Sequence, residues 1–120
     1  MSFTVRELPR ARKDKHSIFR WLPERSPTGA VSLLRAYDSL VERLDQDARS
    51  FGEALENRDC DFDVLQALFK THRGRIYRVL FLIEGKDVYI LRVRGPGQAP
   101  ITPEDVDLPG PPAGDGGLQR

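Results

Sequence analysis

Two β-rich segments joined by one tight turn constrain the fold of this chain most strongly. Residues 76–83 and 88–93 are almost entirely β-branched, aromatic or leucine, which predicts two strands buried on most of both faces. Residues 84–87 supply the turn, where Gly85 can take the positive φ that a two-residue hairpin loop requires. The sequence therefore predicts a basic, antiparallel hairpin within residues 73–94.

A two-residue loop also sets the register of the hairpin. Antiparallel partners keep a constant sum of residue numbers, and this rule places Arg78 opposite Val93. Arg78 then lies on one face of the sheet, whereas Arg92 and Arg94 lie on the other. We therefore expect that the three arginines cannot line one site unless a β-bulge shifts the register.

Two helices are predicted before the hairpin. The first runs from Pro9 or Asp14 to Leu22 and ends at Pro23, and the second begins at Ser26, a good N-cap residue followed by a proline. The apolar stripe of the second helix follows the spacing of three and four residues and comprises Ala30, Leu33, Leu34, Tyr37, Leu40, Val41 and Leu44. A short link between them predicts an antiparallel helical hairpin.

The remaining segments complete an α+β fold. Residues 45–63 are acidic and irregular and are interpreted as a surface connection, residues 64–69 as a third strand, and residues 101–106 as one capped turn. Helices followed by strands predict a helical hairpin on one face of a three-stranded antiparallel sheet. We expect one domain over residues 1–106 and, from its proline and glycine content, a disordered tail over residues 107–120.

Charge is segmented although the net charge is only +1. Residues 1–25 and 69–94 carry an excess of basic side chains, and residues 37–63 carry an excess of acidic ones. Most of the cations are arginine, whose planar fork suits phosphate or carboxylate partners. The pattern favours a nucleic acid or an acidic protein partner, but a solvated charged surface explains it equally well.

Other features exclude several classes of protein. The lone Cys60 forms no intrachain disulfide, and we find no zinc spacing, phosphate-binding glycine loop or Ser-His-Asp arrangement, so we expect neither a metal nor a cofactor. No segment approaches the roughly 20 apolar residues of a membrane helix, and no apolar signal region follows the N-terminus. We expect a cytoplasmic protein that does not act at a membrane.

The order of elements and several short strings resemble the RelE/ParE superfamily of type II toxin–antitoxin toxins. These strings are residues 26–27, which open the second helix, residues 77–81, and residues 88–94 followed by residues 98–100. The resemblance covers roughly residues 10–106. It implies a small cytosolic toxin that is neutralised by a cognate antitoxin protein, and a target that is either ribosome-bound mRNA, which is cleaved, or DNA gyrase, which is inhibited.

For the RNA-cleaving branch, the resemblance implies a metal-independent endoribonuclease with Arg78 close to the scissile phosphate. Such cleavage needs a cation and an acid and base, and the candidate catalytic residues are Arg78, His72 and Arg73. Candidate residues for binding RNA or a protein partner are Lys70, Arg75, Tyr77, Arg92 and Arg94.

The chain departs from this pattern after the last strand. Residues 95–98 are Gly-Pro-Gly-Gln and no tyrosine follows, so the usual acid/base partner has no evident counterpart. One alternative is therefore a non-catalytic, ParE-like inhibitor or a degenerate homologue that binds proteins. For Arg78 itself, the alternative to a catalytic role is a sheet-edge arginine that pairs with an acidic residue of the connection. A generic nucleic-acid-binding domain is a further alternative.

Overall fold

A four-stranded sheet with helices against one face forms the fold. The computed structural model describes residues 2–25, 27–70 and 75–108, with the backbone alone for residues 21–25. Its elements in chain order are β1 (Thr4–Glu7), α1 (Pro9–Arg25), α2 (Pro27–Asp47), β2 (Leu65–Lys70), β3 (Ile76–Glu84) and β4 (Asp87–Arg94), with short 3₁₀ helices at Ala48–Ser50, Leu55–Asp59 and Pro103–Asp105. The α+β class is confirmed, as is the capped turn after residue 101, where Asp105 accepts a hydrogen bond from the Thr102 backbone N–H.

The sheet has the order β1-β4-β3-β2 and is mixed. Strands β2, β3 and β4 form the predicted antiparallel meander, but β1 adds a fourth strand parallel to β4. The prediction of a purely antiparallel, three-stranded sheet is therefore wrong. Strand β1 has only four residues, and so short a segment carries too little periodicity to stand out in a polar N-terminus.

The β3–β4 hairpin confirms the predicted turn but not the predicted register beyond it. Gly85 has φ +61 and no other residue of the turn has a positive φ, as a type II′ turn requires. The predicted pairing holds from the turn to Phe81 and Ile90, after which a β-bulge leaves Leu91 without a partner. Arg78 consequently lies opposite Arg94 rather than Val93.

The helices differ from the prediction mainly at their ends. Helix α1 continues to Arg25, past the predicted stop. The φ of about −65° that a proline fixes is itself helical, so Pro23 does not force the chain out of the helix. Helix α2 buries Leu33, Tyr37, Leu40 and Leu44 as predicted, whereas Leu34 is 47% exposed. The expected N-cap at Ser26 and the tail beyond residue 108 lie outside the described residues, and the antiparallel hairpin of helices stays a prediction.

Apolar side chains pack on both faces of the sheet. The main core lies between the sheet and the helices, and its largest members include Leu33, Tyr37, Leu40, Leu44, Phe69, Tyr77, Val79, Phe81 and Ile90. A second, smaller core on the opposite face contains Ala54, Val64, Leu80, Leu82, Leu91 and Ile101. This second core brings residues 54–64 and 101–106 onto the face that carries Arg78.

A polar network at Glu7 joins β1 to both helices. Its carboxylate accepts a hydrogen bond from Lys15 Nζ at 2.6 Å and another from the Tyr37 hydroxyl. Burial raises the pKa of the Glu7 carboxyl, but these hydrogen bonds and the charges of Lys15 and Arg12 outweigh it, so the pKa lies below its ordinary value. Burial and the bond to Glu7 raise the pKa of Tyr37.

This network predicts a pH-dependent contribution to stability. Because the pKa of Glu7 is lower in the folded chain, its contribution is fully present above the ordinary value of about 4.3 and is lost as the pH falls through the folded-state pKa. Glu7→Gln is expected to lower the free energy of unfolding by about 1–2 kcal/mol at neutral pH. Urea denaturation at several pH values should show this difference shrinking below about pH 4.

Glu42→Gln, at an exposed position of α2, is the matched control. It should change the free energy of unfolding by less than about 0.5 kcal/mol at any pH. A difference between wild type and Glu7→Gln that stays constant down to low pH would show that the Glu7 charge is not what stabilises the network.

Candidate functional site

Three arginines lie together on the sheet face that is opposite to the main core. The bulge in β4 places Arg92 opposite Leu80 and Arg94 opposite Arg78, so all three guanidinium groups belong to one face, here called the arginine cluster. The predicted split of Arg78 from Arg92 and Arg94 is therefore wrong, for the physical reason that one unpaired residue reverses the alternation of the strand.

Arg78 is held by an acidic residue of the connection between α2 and β2. Its Nη1 and Nη2 atoms donate to the two carboxylate oxygens of Glu56 at 3.0 and 2.7 Å, and Nη1 also donates to Gln66 Oε1 at 3.1 Å. The Glu56 side chain is only 2% exposed. Burial raises the pKa of Glu56, but the hydrogen bond from Arg78 and those from backbone N–H groups lower it below its ordinary value. The pair is thus charged and bidentate.

Arg92 is held in the same way by α1. Its Nε and Nη2 atoms donate to Asp14 at 2.7 and 2.9 Å, and the Val93 N–H donates to the same carboxylate at 2.9 Å. The hydrogen bonds from Arg92 to Asp14 raise the pKa of the guanidinium, against the effect of burial. Both side chains are more than four-fifths buried, so this ion pair fastens α1 to the sheet.

Arg94 is the least satisfied member of the arginine cluster. Its Nη2 atom donates to the Ala99 carbonyl at 2.6 Å, whereas its Nε atom is buried and has no hydrogen-bond partner within the described residues. Burial lowers the pKa of Arg94, and the neighbouring charges of Arg92 and Arg78 lower it further. A buried, unpaired donor costs about 1–3 kcal/mol, so an acceptor placed beside Arg94 Nε would bring a gain of that order.

Residues 95–107, here called the C-terminal strap, cross the arginine cluster. Ile101 is buried and its N–H donates to Glu56 at 3.2 Å, while the Asp105 carbonyl accepts from Arg92 at 2.8 Å. Near its end, Asp107 forms an ion pair with Arg10 of α1 at 3.2 Å. The strap therefore occupies the space through which a ligand would approach the arginines.

The other predicted site residues are dispersed. His72 and Arg73 lie outside the described residues, and their catalytic roles stay predictions, as does that of Arg78. Tyr77 is buried in the main core and stacks on Phe69 at 5.4 Å between ring centroids. Lys70 and Arg75 are exposed near the end of β2 and the start of β3. The pairing of Leu68 with Arg78 and of Lys70 with Ile76 places Lys70 on the sheet face that carries the arginine cluster, but at the end of the edge strand.

A groove between α2 and the edge strand β2 is a second candidate site, which the sequence did not indicate. It has a volume of about 480 Å³ and is lined by Ala36, Ser39, Leu40, Arg43, Leu68, Phe69, Lys70 and Ile76. Leu68 and Ile76 are about half exposed. The signal that was available in the sequence was the apolar Leu68 between the polar Gln66 and Lys70 at alternate positions of β2. The exposure of Leu68 depends on β2 lying at the edge of the sheet.

The backbone of β2 is open along part of this groove. The Gln66 N–H donates to the Gly52 carbonyl at 3.0 Å, so even-numbered residues of β2 direct their backbone groups away from β3. Farther along, the same alternation turns the N–H and C=O groups of Leu68 and Lys70 outward, where no described strand pairs with them. An extended segment could pair at this edge.

Other kinds of site are sparse in the part of the chain that the structure describes. Within residues 2–25, 27–70 and 75–108, no three His, Cys, Asp or Glu side chains are grouped as they would need to be to hold a metal ion. Over the same residues, neither helix is long and apolar enough to cross a membrane.

Comparison with known proteins supports the fold. No protein-family model and no curated protein matches the sequence. The chain is similar to one chain in a solved structure of the chromosomal ParDE TA system from P. aeruginosa, with a TM-score of 0.61 and 20% identity over 79% of this chain and 97% of the other. The protein therefore shares the fold of that chain, as its resemblance to the RelE/ParE superfamily predicted.

Proposed function

We propose that the protein is the toxin component of a type II toxin–antitoxin system and is neutralised in the cytoplasm by a cognate antitoxin protein. The observation that carries this proposal is the likeness to a chain of a ParDE TA system, which spans nearly the whole of that chain. Because 20% identity carries the fold alone, toxicity needs a direct test.

The groove beside β2 is the surface that best fits the antitoxin. Its apolar lining suits the anchors of an extended or helical segment, and the outward backbone groups of Leu68 and Lys70 suit an added strand. Arg43 and Lys70 border the apolar residues and favour acidic side chains in the partner. A segment that combines apolar and acidic residues is therefore the expected occupant.

For the mode of action, the arginine cluster supports binding without RNA cleavage. The charges of Arg78 and Arg92 are already matched by Glu56 and Asp14, and a cation that is neutralised in this way contributes little to a developing phosphorane charge. A ParE-like inhibitor, with DNA gyrase as its target, or a degenerate homologue that acts as a protein-binding module fits this arrangement.

Cleavage of ribosome-bound mRNA remains the second candidate. It is favoured by one observation, the bulge that gathers Arg78, Arg92 and Arg94 on a single face. To act as the catalytic cation, Arg78 would have to exchange Glu56 for a phosphate, and the C-terminal strap would have to move aside.

Induced expression in a bacterial host tests whether the protein is toxic and whether a partner neutralises it. We expect growth arrest, and we expect co-expression of the protein encoded by the neighbouring gene to relieve it.

A substitution in the groove tests the docking surface. Leu68→Asp should still arrest growth but should bind the antitoxin at least about 30-fold more weakly, because a buried apolar anchor contributes about 2 kcal/mol or more. Isothermal titration calorimetry measures this loss.

Leu34→Asp is the matched control, since Leu34 is 47% exposed, Leu68 is 48% exposed, and Leu34 does not line the groove. Normal growth with abundant soluble protein would refute the toxin proposal. Growth arrest with equal neutralisation of both variants would leave the toxin proposal intact but would show that the groove is not the docking surface.

A further inference from the structure

We propose that the exposed face of α1 binds the phosphate backbone of a nucleic acid. This face, here called the basic α1 face, consists of Arg12, Lys13, His16 and Arg20, all of them exposed. None of these four residues lines the β2 groove or bonds to an arginine of the cluster, so the inference goes beyond the proposed function and does not depend on it.

The basic residues follow one line along the helix. Together with Glu7, Pro9 and Ser17 they line a shallow groove of about 580 Å³, and within α1 successive lining residues are one or three positions apart. From Pro9 to Arg20 such a line is about 16 Å long at 1.5 Å per residue. This length corresponds to about five nucleotides of one strand at 3.4 Å each.

Over residues 9–20, the outer face of α1 carries basic side chains, whereas the acidic side chain faces the rest of the protein. Asp14 turns inward to pair with Arg92, and Lys15 turns inward to pair with Glu7. No acidic side chain from residues 9–20 therefore neutralises the outer face. Glu7, the acidic residue at one end of the groove, is already bonded to Lys15 and Tyr37.

The outward cations are available to a ligand. Arg12 is 71% exposed, with its Nε atom 3.8 Å from Glu7, a distance at which an exposed ion pair contributes little. The side chains of Lys13, His16 and Arg20 form neither a hydrogen bond nor an ion pair with any described residue. Binding a phosphate would therefore break few existing interactions.

The chemistry of the groove favours phosphates over an acidic protein. Apart from Pro9, every side chain that lines it is polar or charged, whereas the centre of a protein–protein interface is depleted in charge and enriched in aromatic residues. Cations in a line without apolar anchors match a phosphate backbone, where such contacts supply affinity without reading the sequence of bases.

Fluorescence anisotropy with the full chain tests this proposal, using labelled single-stranded RNA in one arm and duplex DNA in the other. The variant is the triple substitution Arg12→Gln, Lys13→Gln and Arg20→Gln. The matched control is Arg35→Gln, Arg58→Gln and Lys86→Gln, which removes the same charge from exposed residues outside α1. Circular dichroism checks that both variants fold.

We expect wild type and the control to bind at least one of the two probes. The α1 variant should bind that probe about tenfold more weakly at low salt, with a slope of log K against log salt concentration that is smaller by about two. The proposal would be overturned if both variants lost the same affinity for the probe. It would also be overturned if wild type bound neither the RNA nor the DNA.

Discussion

Replacing Arg78 with methionine is expected to lower the free energy of unfolding by about 3–5 kcal/mol. The loss arises because the Glu56 carboxylate, only 2% exposed, would remain buried without its cation. Typical domains are stable by about 5–15 kcal/mol, so the variant would lie near the limit of folding. Chemical denaturation followed by circular dichroism measures the change, and Arg35→Met, at an exposed position of α2, is the control with an expected change below about 0.5 kcal/mol.

A double variant separates the ion pair from the rest of the site. In Arg78→Met/Glu56→Gln no unpaired charge is buried, and the new amide oxygen can still accept from the Ile101 N–H. Replacing both partners of a buried pair is often close to neutral, so most of the lost stability should return. If Arg78→Met alone has no effect, the Arg78–Glu56 pair does not form in solution.

Replacing Asp14 with alanine is expected to cost a similar amount, about 3–5 kcal/mol. The substitution removes three hydrogen bonds at once, two from the Arg92 guanidinium and one from the Val93 N–H. It should also accelerate hydrogen exchange at Val93, because that amide loses its acceptor. Urea denaturation and exchange measured by NMR together check the prediction.

The neighbouring Lys13 supplies the control, because it shares the helix but is exposed and has no partner within the described residues. Lys13→Ala should change stability by less than about 0.5 kcal/mol. If Asp14→Ala unfolds with the same free energy as wild type and exchanges the Val93 amide hydrogen at the same rate, Asp14 does not attach α1 to β4.

The sequence predicted correctly those elements that depend on residues close together in the chain. Positive φ at Gly85 sets the hairpin turn, and the spacing of Leu33, Tyr37, Leu40 and Leu44 sets the buried side of α2. Both depend on neighbours within a few positions of the chain, which a sequence pattern records directly.

The arrangement of the arginine cluster could not be predicted in this way, because its partners are distant in sequence. The bulge at Leu91 turns Arg92 toward Asp14, a residue 78 positions away. Likewise Glu56 lies in an acidic run that resembles an exposed connection, and only the packing of residues 54–64 on the second core buries it. Nothing in the local sequence distinguishes Glu56 from its exposed acidic neighbours.

The most direct test of the proposed mode of action is induced expression of wild type and of the folded Arg78→Met/Glu56→Gln variant, with growth and mRNA integrity followed together. If Arg78 is structural and the toxin acts by binding, both proteins will arrest growth and cellular mRNA will stay intact. Cleavage of mRNA by wild type that the stable double variant has lost would contradict this account and would establish Arg78 as a catalytic residue.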